Sequence, residues 1–199
     1  MKHLDSREEF MCDEDFANFR SLILNNHKST KFYRSASAIK NTYGRATIVR
    51  KLMKQLSIKT IIDFSNVEYR CMSDEFGFAL TQRMREILKE DGAYIIQCDA
   101  GKKRTGFVCM VLEMLSGTNY DDIVNDYLES YKNNNGIDYI KNPDFIKEVE
   151  QQKIKKIIHY IRNTNEDPRT INLVEAAKEY LLRFGMSQEE IQMLQKKLS

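Results

Sequence analysis

The stretch Cys98-Asp99-Ala100-Gly101-Lys102-Lys103-Arg104-Thr105-Gly106 holds a thiol, a guanidinium and a hydroxyl close together in the chain. Five residues lie between Cys98 and Arg104, and Gly101 lets them curl so that backbone N–H groups point inward. A loop of this kind, closed by a helix N-terminus, cradles an anion. Arg104 adds a planar fork that can grip two oxygens at once. The same surroundings favour the thiolate of Cys98, which is the nucleophilic form. A phosphoryl group held there faces the sulfur in line, with its equatorial oxygens stabilised. A cysteinyl-phosphate then forms and water breaks it. Thr105 is placed to donate a hydrogen bond to the departing sulfur. The phosphate-binding set read this way is Asp99, Ala100, Gly101, Lys102, Lys103 and Arg104. Cations at a helix start oppose the helix dipole, so Lys102 and Lys103 favour a bound anion. No glycine stands five residues before Gly101, so the loop is not a nucleotide P-loop.

Elements that position this loop are legible on either side. Ala93 to Gln97 reads as a strand ending at the cysteine, and Arg104 to Leu115 as a helix with Phe107, Val108, Val111, Leu112 and Leu115 on one face. Further strands are expected at Lys31–Ser35, Ile58–Phe64 and, short, at Tyr69–Met72. Helices are expected at 45–56, from Ser73-Asp74 to about 91, at 120–131, from Asn142-Pro143 to about 162, and near 171–184 and 188–198. Gly185 is a candidate cap, and Ser187 with Glu190 forms a capping box. Residues 1–30 read as an irregular entry with one helical turn. Strand alternating with helix predicts an α/β fold: a parallel-rich central sheet flanked by helices over about 31–131, followed by an all-helical part over about 142–199, in one domain spanning 1–199.

Cys-x5-Arg-Thr-Gly, following a strand and opening a helix, resembles the signature of the cysteine-dependent protein tyrosine phosphatase superfamily. The inner Ala-Gly-Lys resembles both the bacterial tyrosine phosphatases with an AGKDR loop and the phosphoinositide 3-phosphatases. Asn18-Phe19-Arg20, Phe32-Tyr33-Arg34-Ser35-Ala36, the strand ending at Asp63 and the pattern from Ala176 to Leu198 are similar to the bacterial group. The resemblance implies that Arg20 or Arg34 braces the loop. Three departures stand against the pattern. Gln97 replaces the usual His before the nucleophile. Lys103 replaces the usual Asp before the arginine. Only 33 residues separate Phe64 from Cys98, where relatives carry a longer segment.

A leaving alkoxide or phenoxide needs a proton. Asp99, inside the loop, and Asp74, at a helix start, are the candidate general acids, with Glu68 behind them. Asp63, at a strand's C-terminal end, has the position at which open α/β sheets place functional groups, or it holds a neighbouring loop. Cys71 is a candidate partner for a protective disulfide with Cys98, whereas Cys109 reads as core. His3, His27 and His159 show no pairing pattern and read as surface residues.

Net charge is 31 − 29 = +2, so no global field points to nucleic acid or membrane. Four cysteines without a CxxC pair argue against zinc, and no metal or cofactor is needed where the loop and Arg104 supply the positive charge. The start lacks a signal peptide's apolar region, and no run is long enough to span a membrane. The expected location is therefore cytoplasmic, with signal-less secretion left open. The function expected is a phosphatase of phosphotyrosine proteins, with or without dual specificity, that releases inorganic phosphate. Two alternatives stay open: a phosphoinositide phosphatase, and a pseudophosphatase that binds phosphorylated partners.

Overall fold

A computed structural model describes residues 4–199, so His3 lies outside the described residues. Four strands form one sheet: β1 Arg20–Leu24, β2 His27–Ser35, β3 Thr60–Asp63 and β4 Tyr94–Gln97, in the order β1-β2-β4-β3. β2 and β3 both run parallel to β4, and β1 is antiparallel to β2. The central strand β4 is buried along its whole length, as its unbroken Tyr-Ile-Ile-Gln run requires.

Helices cover both faces of the sheet. α1 (Asp13–Phe16) and α2 (Arg45–Gln55) lie on the side where Val49, Leu52 and Met53 pack with Tyr33 and Ile95. The opposite face, carrying Phe32, Ile62, Tyr94 and Ile96, packs on α3 (Asp74–Lys89), α4 (Lys103–Ser116), α5 (Tyr120–Asn135) and the C-terminal helices. Those are α6 (Pro143–Val149), a π turn at Glu150–Ile154, α7 (Lys155–Arg162), α8 (Leu173–Arg183) and α9 (Gln188–Leu198). Alternation along β4 decides the faces: Ile95 points one way, Tyr94 and Ile96 the other. The expected α/β architecture with an all-helical C-terminal part is observed. Asn142 caps α6 ahead of Pro143, and the Ser187–Glu190 capping box is present.

Local expectations need correction at five points. The entry is not irregular throughout, because β1 lies within it. Asn25 and Asn26 both take positive φ, +48° and +64°, and close a tight hairpin into β2, which begins at His27 rather than at residue 31. Residues 69–72 form no strand, and Tyr69 and Met72 are about half exposed. The helix expected over 142–162 is interrupted by the π turn. His27 is exposed, but His159 is only partly so and has Nε2 2.9 Å from the Glu166 carbonyl oxygen.

No helix among the described residues is long and apolar enough to cross a membrane. Nor does any group of three or more His, Cys, Asp or Glu side chains among them have the arrangement to hold a metal ion.

Candidate active site

β4 delivers Cys98 to the C-terminal edge of the sheet, where the thiol is 5% exposed. The chain then turns into α4, whose N-terminus differs from its neighbours. Side chains cap α3, α5, α6, α8 and α9, but among the described residues none caps α4, and its first turn, like that of the uncapped α2, holds no acidic residue. The free amides and positive dipole end of α4 therefore face the loop.

The loop is held from behind by its carbonyls. Asn18 Nδ2 donates to the oxygens of Ala100 at 3.2 Å and Gly101 at 2.9 Å. Arg34 Nη2 donates to the Gly101 oxygen at 3.0 Å, and the Ser37 N–H donates to the Asp99 oxygen at 3.1 Å. With three successive carbonyls turned outward, the amides between them are free to face the concave side. Gly101 has φ +64°, and a Cβ there would collide with the Ser35 carbonyl of β2, so only glycine fits.

A buried charge cluster supports these donors. Asp126 of α5 pairs with Arg20 Nε at 2.7 Å and with Arg34 Nη1. Arg20 also donates to Asn18 Oδ1 at 2.7 Å and to the Asp126 carbonyl at 2.7 Å. Burial alone would raise the Asp126 carboxyl, but the two guanidiniums outweigh it and hold it below the usual range. Burial would likewise lower Arg34, and the Asp126 charge outweighs it to hold the guanidinium up. Nearby on α4, burial pushes the Glu113 carboxyl well above its ordinary value, and the Asp126 charge adds to the effect. Both arginines thus act as braces, Arg34 directly and Arg20 through Asn18. Ser130 joins the cluster by accepting from Arg20 Nη2 at 3.0 Å and Arg34 Nη2 at 3.2 Å, and Asn18, Asp126 and Ser130 had no signal of their own in the sequence beyond the Asn18-Phe19-Arg20 match.

Arg104 is held on the opposite side. Its Nη1 donates to the carbonyls of Phe64 and Ser65, both at 2.7 Å, which leaves the Nε–Nη2 edge as the fork. The position of those carbonyls traces back to Gln97. Its Oε1 accepts the Ala38 N–H at 2.8 Å and its Nε2 donates to Asp63 Oδ1 at 3.1 Å. The same Asp63 oxygen accepts the Ser65 N–H at 3.0 Å and hydroxyl at 2.6 Å. Asp63 therefore takes the loop-holding role rather than facing the cradle.

The other candidates separate. Thr105 is fully buried, and among the described residues its hydroxyl has no hydrogen-bond partner, the Cys98 sulfur included. Asp99 is half exposed, paired with Lys40 Nζ at 2.8 Å, and has its other oxygen 3.6 Å from Arg104 Nη2. Lys102 leans on α5: its Nζ donates to Asn135 at 2.6 Å and sits 3.5 Å from the centre of the Tyr131 ring. Burial lowers the Lys102 ammonium to about 8, with repulsion from Lys103 and Lys153 adding to the fall. Lys103 is exposed. Asp74 is exposed at the start of α3, with the Tyr160 hydroxyl 3.5 Å away, and Glu68 is exposed in the segment before it. Cys71 and Cys98 are both free thiols, and burial, with the Cys98 charge adding, raises Cys71 to about 11. Cys109 is core, as expected.

A family model described as the tyrosine phosphatase family matches residues 65–199, which takes in the loop and every helix from α3 onward. The bracing residues Asn18, Arg20 and Arg34 precede the matched span. No curated protein matches the sequence.

Proposed function

Because the chain belongs to the tyrosine phosphatase family, we propose that it hydrolyses phosphomonoesters, phosphotyrosine above all, through a cysteinyl-phosphate on Cys98. The observation that carries this reading is the outward tie of the Asp99, Ala100 and Gly101 carbonyls behind a buried thiol at an uncapped helix start. It leaves amide donors for the nonbridging oxygens. The Nε–Nη2 edge of Arg104 grips two of those oxygens while Nη1 stays anchored.

The Cys98 thiolate attacks phosphorus, the sulfur–phosphorus bond forms and the ester phosphorus–oxygen bond breaks. We assign protonation of the leaving oxygen to Asp74. Arg104 is bonded to the Phe64 and Ser65 carbonyls, so the segment that runs from them to α3 starts beside the loop, and Asp74 opens that helix. Asp99 is engaged by Lys40 and is assigned to charge balance at the loop. In the second step water attacks phosphorus, the sulfur–phosphorus bond breaks, and phosphate leaves. The unpartnered Thr105 hydroxyl is the donor for the departing thiolate.

A second reading, a phosphoinositide substrate, is favoured by Lys102 and Lys103 standing side by side at the start of α4, where an additional phosphate would meet two cations. Parallel assays on a phosphotyrosine peptide and a polyphosphorylated inositol lipid separate the two. The proposed function predicts vanadate-sensitive turnover of the peptide at the higher kcat/KM. Turnover of the lipid alone transfers the assignment to the second reading. Binding of both without turnover of any aryl phosphate would establish a pseudophosphatase.

A further inference from the structure

β2, β4 and β3 are adjacent and parallel, so the connections that leave them, 36–44, 98–102 and 64–73, emerge at one edge of the sheet with the loop in the middle. Hydrogen bonds tie both neighbours to the loop: the Ser37 N–H donates to the Asp99 oxygen, and Arg104 donates to the Phe64 and Ser65 carbonyls. A third connection, 136–142, follows α5, whose Asn135 holds Lys102. Large apolar side chains stand out to solvent on all three. Ile39 is 62% exposed and Ile140 78%, and Tyr43, Tyr69 and Met72 are about half exposed. Half of the ten large hydrophobics exposed among the described residues thus ring one loop, a concentration that marks an interaction face.

Tyr43 adds a backbone observation. It takes φ +57°, a left-handed conformation that glycine or asparagine adopts at far less cost, so an exposed aromatic ring is held there against the preference of its backbone. Charge gathers at the same place. Connections 36–44 and 64–73 and the loop carry Lys40, Arg70, Lys102, Lys103 and Arg104 against Glu68 and Asp99, with Asp74 just beyond. The whole chain is only +2, so its excess positive charge lies in these segments. Lys40, Arg70 and Lys103 are exposed. A bound peptide would need a groove whose walls bury its side chains. Apolar and cationic tips that project from separate connections around a recessed thiol suit a broad surface instead. Amphipathic rings at headgroup level, with cations against anionic lipid, are the composition of a membrane–water interface.

We propose that this edge of the molecule docks on an anionic lipid surface. Ile39, Tyr43, Tyr69, Met72 and Ile140 enter the headgroup layer, and Lys40, Arg70 and Lys103 meet the lipid charge. Docking in this orientation turns the mouth of the loop toward the surface, because the loop lies between the connections that make the contact. The docking face does not depend on the phosphatase reading, and its test does not use turnover.

Cosedimentation of the whole chain with phosphatidylcholine vesicles, with and without phosphatidylserine, tests the face. The anionic vesicles should be bound at least about tenfold more tightly, a margin below the joint worth of three cations near such a surface, and rising salt should weaken the binding. Ile39→Ser combined with Tyr43→Asn should weaken binding to the anionic vesicles at least about tenfold, since two apolar contacts are lost. Asparagine suits the left-handed backbone at position 43, so the double variant should melt no lower than the parent. Arg70→Gln should weaken the binding several-fold. Leu56→Ser removes an exposed hydrophobic between α2 and β3, at the opposite edge of the sheet, and should bind like the parent. Equal binding to both kinds of vesicle, or to neither, would overturn the proposal. So would parental binding by the double variant, or an equal loss in Leu56→Ser. A phosphotyrosine peptide or a second copy of the chain bound through Ile39 and Tyr43, with vesicles left unbound, would overturn it by assigning the face to a protein.

Discussion

Asn18 and Gly101, 83 positions apart in sequence, are joined by a 2.9 Å hydrogen bond from the Asn18 side-chain amide to the Gly101 carbonyl. That bond helps turn the loop's carbonyls to the back, which leaves its amides free to face the concave side. Asn18 also sits at φ +48°, a left-handed conformation that asparagine tolerates better than most residues. Asn18→Asp keeps the shape and the acceptor for Arg20 but replaces the donor with a carboxylate oxygen facing two carbonyls. Vanadate affinity should fall at least about tenfold, the worth of one to two buried hydrogen bonds. Titration against the parent chain checks this, and parental affinity would show that the loop holds its shape unaided.

Asp126 is the charge on which Arg20 and Arg34 both rest. Asp126→Asn leaves two buried guanidiniums without their counterion. The expected cost is about 3–5 kcal/mol, typical of removing one member of a buried ion pair. Urea unfolding measures it, and a loss below about 1 kcal/mol would mean the cluster is solvated.

Gln97 stands where the resembled family usually carries a histidine, and its two hydrogen bonds explain how an amide serves there. One end holds the Ala38 N–H and the other holds Asp63, which in turn positions the Ser65 and Phe64 carbonyls that anchor Arg104. Gln97→His can accept with one ring nitrogen and donate with the other, so kcat/KM should stay within about tenfold of the parent. Gln97→Leu loses both bonds and should lower kcat/KM by about 10²-fold or more, since small displacements of a positioning group cost that much. Similar rates for the two variants would remove Gln97 from the chain of contacts to Arg104.

Asp74 and Asp99 are separable by leaving group. Loss of a general acid costs about 10²–10⁴-fold on a poor leaving group and far less on an activated aryl phosphate. Asp74→Asn should show that split and lose the alkaline limb of its pH–rate profile. Asp99→Asn, which removes a negative charge next to the anion, should affect both substrates alike. The reverse pattern would move the acid to Asp99.

Lys102 gives a pH signature. Its folded-state value, about 8, lies below the roughly 10.4 of an unfolded lysine. Between those values the unfolded chain binds more protons, so Lys102 makes stability rise with pH across that window, and its penalty is fully present below about pH 8. Lys102→Met lacks that rise. The melting temperature of the parent relative to the variant should therefore climb from pH 7.5 to pH 10. Parallel melting curves over this range would contradict the burial of the ammonium.

The loop, its flanking strand and helix, and most helices downstream were legible because each carries a strong local pattern: Cys-x5-Arg, an apolar run, or a periodic face with caps. What was missed depends on tertiary contacts. β1 has only a weak alternation in Arg-Ser-Leu-Ile-Leu, although Asn25-Asn26 is a hairpin signal that marks its end. Tyr69–Met72 has strand-like composition but joins no strand, and Tyr69 and Met72 stay about half exposed. The Asn18–Arg20–Asp126–Arg34 cluster joins three distant segments, and no spacing in a single chain announces it. Residue type alone was equally silent on Lys102, which looks like any loop lysine until Tyr131 and Asn135 surround it.

The proposed reaction requires Cys98 to carry the phosphoryl group. Rapid acid quench during turnover of a ³²P-labelled phosphotyrosine peptide, followed by proteolysis, locates the label. It should appear on the peptide containing Cys98, accumulate in Thr105→Ala, whose second step lacks the hydroxyl donor, and be absent from Cys98→Ser. Turnover by the parent chain with no label on Cys98, or steady-state activity in Cys98→Ser, would contradict it.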